Sequence, residues 1–166
     1  MNFIKRLIYD FRVTKAVYLL FGGLTALLLA VLTLISSACH PCYRFLLLPR
    51  HALPFWIFAL ISILLFILMA CGAGALLCCQ QYCKLIFAPL VCYALSLSLC
   101  MLWFHLLFRS FHILLAIIIL LTIIFMQILI IKSCVHLHSL SVIASILSIL
   151  ILLHMLWLNI GIAFLN

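Results

Sequence analysis

Five stretches of this chain, residues 16–38, 54–79, 85–107, 111–131 and 139–164, contain no charged side chain at all. That single property limits the folds open to it. A helix needs about 20 apolar residues to cross the hydrocarbon of a bilayer. A backbone in hydrocarbon has no water to bond, so it must close its own hydrogen bonds as a helix or a sealed barrel. Barrel strands alternate apolar and polar residues, whereas here the apolar runs are continuous, as from Ile113 to Ile131. The sequence therefore predicts an all-α integral membrane bundle of five transmembrane helices with a long first loop. A basic N-terminal tail at 1–15 precedes one transmembrane domain at 16–166.

Composition closes the alternatives. With 72% hydrophobic and 6% charged residues, the chain is neither a soluble domain nor a disordered one. Asp10 is the only acidic residue, which excludes chemistry that depends on paired carboxylates. A net charge of +8 suits anionic lipid headgroups or an acidic ligand. The basic residues lie at helix ends and form no stripe, so nucleic acid is not an expected partner. Most cysteines fall inside apolar runs, Cys71, Cys78, Cys79, Cys92 and Cys100 among them, where a thiol packs as a small hydrophobe.

The tail spaces Phe3, Ile4, Leu7, Ile8 and Phe11 as a short amphipathic helix on the membrane surface would. The longest loop, Cys39 to Leu53, carries Pro41 and Pro49, and Pro54 stands where the second helix starts. Five crossings put Lys5, Arg6, Arg12, Lys15, Lys84 and Lys132 on one side, and Arg44, Arg50 and Arg109 on the other. The positive-inside rule then predicts a cytoplasmic N-terminus.

Antiparallel order also sends Trp56, Trp103 and Trp157 toward one membrane face, with the long loop, His105, Arg109, His112, His154 and Asn159. An aromatic belt accounts for this with no ligand, but a belt marks both interfaces and no Trp marks the other. The functional reading is a pocket between helix ends, with aromatic walls for a flat apolar ligand and Arg or His at its polar edge. His154 and Asn159 either bond between helices or line that site. Three further patterns each have an ordinary reading beside a chemical one. Cys39-His40-Pro41-Cys42 is a CxxC in a loop, a thiol–disulfide centre or half of a metal site. Cys134-x-His136-x-His138 offers metal-ligand types without an evident fourth ligand, and interfacial polar residues explain it as well. Gly72-Ala73-Gly74-Ala75 is a face for helix packing within the chain or for a dimer.

The segment Tyr43-x-x-Leu46-x-x-Pro49-x-x-x-x-Pro54-x-Trp56 resembles the first loop and second-helix start of the TspO/MBR (translocator protein / tryptophan-rich sensory protein) family. Leu65-Phe66-x-x-Met69 looks like that family's Leu-Tyr-x-x-Met. Pro89-Leu90-x-x-Tyr93-x-x-x-Leu97-x-Leu99-x-x-x-Trp103-x-x-x-x-Phe108 is similar to its third helix, and Leu158-Asn159 with Asn166 to its C-terminal end. The family's loop Trp falls at His51, its mid second-helix Trp at Ser62, its fourth-helix Trp and Asp at Leu115 and Ile119, and its fifth-helix Trp at Ile151. Much of the family's aromatic and polar lining is thus aliphatic in this chain.

What the resemblance implies is a five-helix bundle, often a homodimer, in a bacterial inner membrane or a mitochondrial outer membrane. It also implies binding, and transport, of a planar hydrophobic ligand such as a porphyrin, haem or a sterol, with no catalytic cofactor. The expected lining is Trp56, Phe58, Trp103, His154, Leu158 and Asn159, with His51 on the lid and Arg109 meeting a ligand carboxylate. Two alternatives remain. One is a quinone-linked thiol–disulfide oxidoreductase using Cys39 and Cys42. The other is a structural membrane protein whose pocket is degenerate.

Overall fold

The computed structural model describes residues 22–23, 27, 30–31, 49, 54–77 and 83–165, with the backbone alone at 55–56 and 83–85. Every regular element among them is helical. Helix α1 is Phe55–Leu77, α2 is Cys83–His105, α3 is Ile113–Cys134 and α4 is Ser139–Leu165. A π-helical turn, Leu106–Ser110, extends α2. All four helices are long and apolar enough to cross a membrane. The 22 residues of α3 span about 33 Å at 1.5 Å per residue, matching a hydrocarbon core of about 30 Å. The protein is an integral membrane protein.

The expected tail helix at 1–15 and most of the expected first span lie outside the described residues. Within that span, Gly22, Gly23, Leu27, Ala30 and Val31 are helical and Ala30 is buried in the core. A Cβ on Gly22 would come within 3.1 Å of the Ala70 carbonyl oxygen, so this segment lies directly on α1.

Short connections make the described helices antiparallel neighbours. Helix α4 packs against both α1 and α3, and α2 against α3 and α1. Phe58, early in α1, meets Phe108 beyond the end of α2, and Gly72, late in α1, meets Tyr93, midway along α2. One end of the bundle therefore gathers the start of α1, the end of α2, the start of α3 and the end of α4. Helix α1 begins where the sequence predicts: the Pro54 carbonyl accepts from the amides of Ile57 and Phe58. Pro54 sits just outside the helix rather than as its first residue.

The connection from α2 to α3 is tighter than the gap between the expected spans suggests. Winding persists to Ser110 and buries Leu106, Leu107 and Phe108 in succession. Phe111 then closes the turn at φ 54°, a left-handed conformation that costs a bulky residue about 1–2 kcal/mol. Its neighbour His112 donates its amide to the Leu106 carbonyl.

The buried seam of α4 runs Ser141, Ser145, Ser148, Leu152, Met155, Asn159, Ile162. Its alternating steps of four and three residues give the 3.5-residue period of closely packed helices. Polar groups fill one half of the seam. The Tyr93 hydroxyl bonds the Ser145 hydroxyl at 2.7 Å, the Ser141 hydroxyl at 3.0 Å and the Ser141 carbonyl at 3.1 Å. A Cβ on Gly72 would overlap that phenol. Gly72 of α1, Tyr93 of α2 and two serines of α4 thus depend on one another, and the Gly-Ala-Gly-Ala motif serves packing within the chain at Gly72. Elsewhere Ser62, Ser96 and Ser148 donate to carbonyls four residues back, which pairs their hydroxyl protons inside hydrocarbon.

This node predicts two effects on thermal unfolding in detergent. Tyr93→Phe should cost about 1 kcal/mol, the usual worth of an interhelical hydrogen bond in a membrane protein. Gly72→Ala should cost about 1–3 kcal/mol through overpacking. In the Tyr93→Phe background Gly72→Ala should cost clearly less, because the hydroxyl, the nearest of the ring atoms it strikes, is gone. Equal cost in both backgrounds would show that the node does not exist.

Candidate functional site

At the end of the bundle where α1 starts and α2 finishes, the interior is aromatic. Phe58 comes from α1, and Trp103, Phe104 and Phe108 come from α2 and its π-turn. Trp103 and Phe104 meet edge to face with centroids 4.7 Å apart. Phe58 touches Trp103 at 6.1 Å, Phe104 at 6.3 Å and Phe108 at 5.7 Å. Phe66 stacks under Phe104 at 6.1 Å. All five rings are buried. Such pairs add about 0.5–1.5 kcal/mol each beyond the area they bury.

Helix α4 contributes the polar groups at this end. Leu158 and Asn159 are both buried, while His154 is half-buried. The indole N–H of Trp103, the Nδ2 amide of Asn159 and Nε2 of His154 are buried with no hydrogen-bond partner among the described residues. Trp103 Nε1 and Asn159 Nδ2 can only donate. A buried donor left unpaired costs about 1–3 kcal/mol. The interior at this end therefore offers protons to an acceptor.

The expected lining residues divide accordingly. Phe58, Trp103, Leu158 and Asn159 lie in the buried interior of one end, with His154 at its margin. Trp56 belongs to the first turn of α1, at the same end, but its side chain and the whole of His51 lie outside the described residues. Arg109 is exposed on the π-turn. Trp157 also lies toward this end, yet it is 53% exposed on the outer face of α4, beside the His154 ring at 6.3 Å. Only the burial pattern separates its belt-like place from that of Trp103. Pro49, the described residue of the long loop, lies against Gly161 of α4, where a Cβ would meet the proline ring at 3.1 Å. The loop thus reaches this end of the bundle.

The CxxC cysteines, Cys39 and Cys42, lie outside the described residues. In Cys134-x-His136-x-His138 the first and last side chains are buried and His136 is exposed. Among the described residues no three His, Cys, Asp or Glu side chains are placed to hold a metal.

A model of the TspO/MBR family matches residues 16–165, nearly the whole chain. The chain belongs to the TspO/MBR family. No curated protein matches it. Membership places the aromatic end and the loop of this TspO/MBR chain in one frame, and it makes the substituted positions readable. Ser62, where the family carries Trp, is fully buried and folds its hydroxyl onto the Phe58 carbonyl. Ile119 is buried, whereas Leu115 is 46% exposed. Leu115 borders a cavity of about 580 Å³ lined by Phe111, His112, Ile113, Leu114 and Ala163. That cavity lies toward the outer side of α3 and α4, not among the buried rings.

Gln127 is the polar residue that inspection of the sequence passed over. It is fully buried on α3, seven residues or about 10 Å before Cys134, and neither its amide nitrogen nor its oxygen has a partner among the described residues. Its signal was present: a primary amide inside an otherwise aliphatic span must be paired or costly. Gln127→Met keeps the volume and removes both unpaired atoms, so it should raise thermal stability by about 1 kcal/mol. A loss of stability on that substitution, followed by melting in detergent, would mean that the amide is paired.

Proposed function

We propose that this TspO/MBR protein binds a planar hydrophobic ligand bearing acceptor groups, a porphyrin or a sterol, at the aromatic end of the bundle beneath the long loop. One observation supports the reading: two donor-only groups, Trp103 Nε1 and Asn159 Nδ2, are buried in an aromatic interior with no acceptor among the described residues. Rings would stack on the ligand plane, and the two N–H groups would meet a carbonyl, carboxylate or hydroxyl oxygen. His154 would serve either as donor or as acceptor. Trp56 and His51 complete the lining on the helix start and the lid. Transport of the ligand, a homodimer, and a cytoplasmic N-terminus in a bacterial inner or mitochondrial outer membrane belong to the same reading.

A second reading has a specific observation in its favour. Phe58, Trp103, Phe104 and Phe108 already fill one another's faces, with centroid distances from 4.7 to 6.3 Å. The chain would then be a structural membrane protein whose family pocket has closed on its own side chains. Use of Cys39 and Cys42 as a thiol–disulfide centre has no described residue to support it.

Titration of the full chain in nanodiscs with protoporphyrin IX, and separately with a fluorescent sterol, decides between the two. Binding predicts a saturable spectral change for one of them. Trp103→Phe and Asn159→Leu should each weaken it about tenfold, the worth of one hydrogen bond to a charged or strongly polar group. Asn159→Leu should leave the melting temperature unchanged, since it removes a donor with no partner among the described residues, whereas Trp103→Phe also trims a buried ring packed on Phe58 and Phe104 and should lower it modestly. No saturable change with either ligand would establish the closed pocket.

A further inference from the structure

The cavity of about 580 Å³ between the start of α3 and the end of α4 is lined by Phe111, His112, Ile113, Leu114, Leu115 and Ala163. It is separate from the aromatic interior and open on its outer side, since Leu114 is 75% and Leu115 46% exposed. Its depth follows from the fold. Helix α3 starts at Ile113 and runs the thickness of a bilayer, so residues 109–113 stand where hydrocarbon gives way to headgroups. One rim is cationic and polar. Arg109 and His112 are both exposed. They are three positions apart in the chain, so their Cα atoms lie within about 11 Å of each other.

The backbone holds this rim in place. The π-turn ends in Phe111 at φ 54°, and the amides of Phe111 and His112 both bond the Leu106 carbonyl. A left-handed phenylalanine costs folding free energy that a glycine there would not. What the conformation achieves is to put the Phe111 ring and the His112 imidazole together on the wall of the cavity, with the guanidinium close by in sequence. An apolar trough at the hydrocarbon boundary with an imidazole on its wall, and an exposed guanidinium three positions earlier in the chain, matches an amphiphile with an aliphatic chain and an anionic head.

We propose that this groove is a docking site for one acidic phospholipid, with an acyl chain lying along Ile113, Leu114, Leu115 and Ala163 and the phosphate against Arg109 and His112. Charge complementarity selects this occupant over a zwitterionic lipid. The chain has +8 formal charges, and Arg109 is the described Arg or Lys side chain at this end of the bundle. A guanidinium presents paired N–H donors that match two phosphate oxygens. The site makes no use of Trp103 or Asn159, so it stands whether or not the interior binds a ligand.

The test is native mass spectrometry of the full chain released from nanodiscs of equal phosphatidylglycerol and phosphatidylcholine. One phosphatidylglycerol per chain should be retained in preference. Arg109→Gln with His112→Gln should reduce that preference at least about fivefold, the effect of losing one surface charge. Ala163→Trp, which fills the trough and leaves the charges in place, should also abolish retention. As a check that needs no variant, a photoactivatable phosphatidylglycerol should crosslink to the peptide spanning residues 109–115 in the wild-type protein. Equal retention of the two lipids, unchanged retention in both variants, or crosslinks spread over all helices would overturn the proposal. So would protection of this groove by a second copy of the chain, read as a dimer that Ala163→Trp dissociates. Glycerol phosphate added in excess should not displace the lipid, because the acyl chain supplies part of the binding; displacement would indicate a free-phosphate site instead.

Discussion

Everything in this bundle follows from the absence of water around it. In hydrocarbon a polar group has only other protein groups to bond, so the few polar side chains that α1 to α4 carry decide how the helices meet. The Tyr93 phenol shows the principle. It reaches across from α2 to two serine hydroxyls and a carbonyl of α4, and it fits only because α1 offers Gly72 in front of it. Greasy surfaces give no such preference, since lipid tails are as apolar as leucine. The polar half of the α4 seam thus fixes the register of three helices, while the aliphatic exteriors of α3 and α4 face lipid without consequence for the fold.

The opposite end uses a different interaction. Five buried rings pack at offset and edge-on angles, and Trp103 Nε1 and Asn159 Nδ2 are donors with no acceptor among the described residues. The Tyr93 node is therefore self-satisfied, whereas the aromatic end, like Gln127 on α3, holds polar atoms with no partner among the described residues. A membrane protein tolerates an unsatisfied donor where a binding partner supplies the acceptor or where a family's site has been overwritten by packing. Both descriptions apply to the same rings, and in either case Pro49 of the first loop reaches this end of the bundle at Gly161.

Much of this was legible in the residues. The charge-free runs announced the helices, Pro54 marked the start of α1, and antiparallel order placed Trp103, Arg109, His112, Asn159 and Trp157 toward one face. Family membership was legible too, because prolines, a tyrosine and a tryptophan at fixed spacing survive where the lining does not. Two things were not. The continuation of α2 through a π-turn to a left-handed Phe111 has no local signature, since phenylalanine is a poor residue for that conformation. Nor could the sequence separate Trp103 from Trp157: both lie near helix ends at the same depth, and only the rotation of each helix about its axis buries one and exposes the other.

The sequence by itself determined that this chain crosses a membrane as helices, roughly where the four described crossings begin and end, and which family it belongs to. Those properties depend on hydrophobicity and on backbone breakers, which act locally. Only the tertiary structure decided which polar groups found partners. Tyr93 with Ser141 and Ser145 has surroundings in sequence similar to those of Trp103, Gln127 and Asn159, whose side chains hold polar atoms with no partner among the described residues. Pairing requires atoms from different helices to arrive within about 3 Å, and that distance is set by how whole helices rotate and slide against one another.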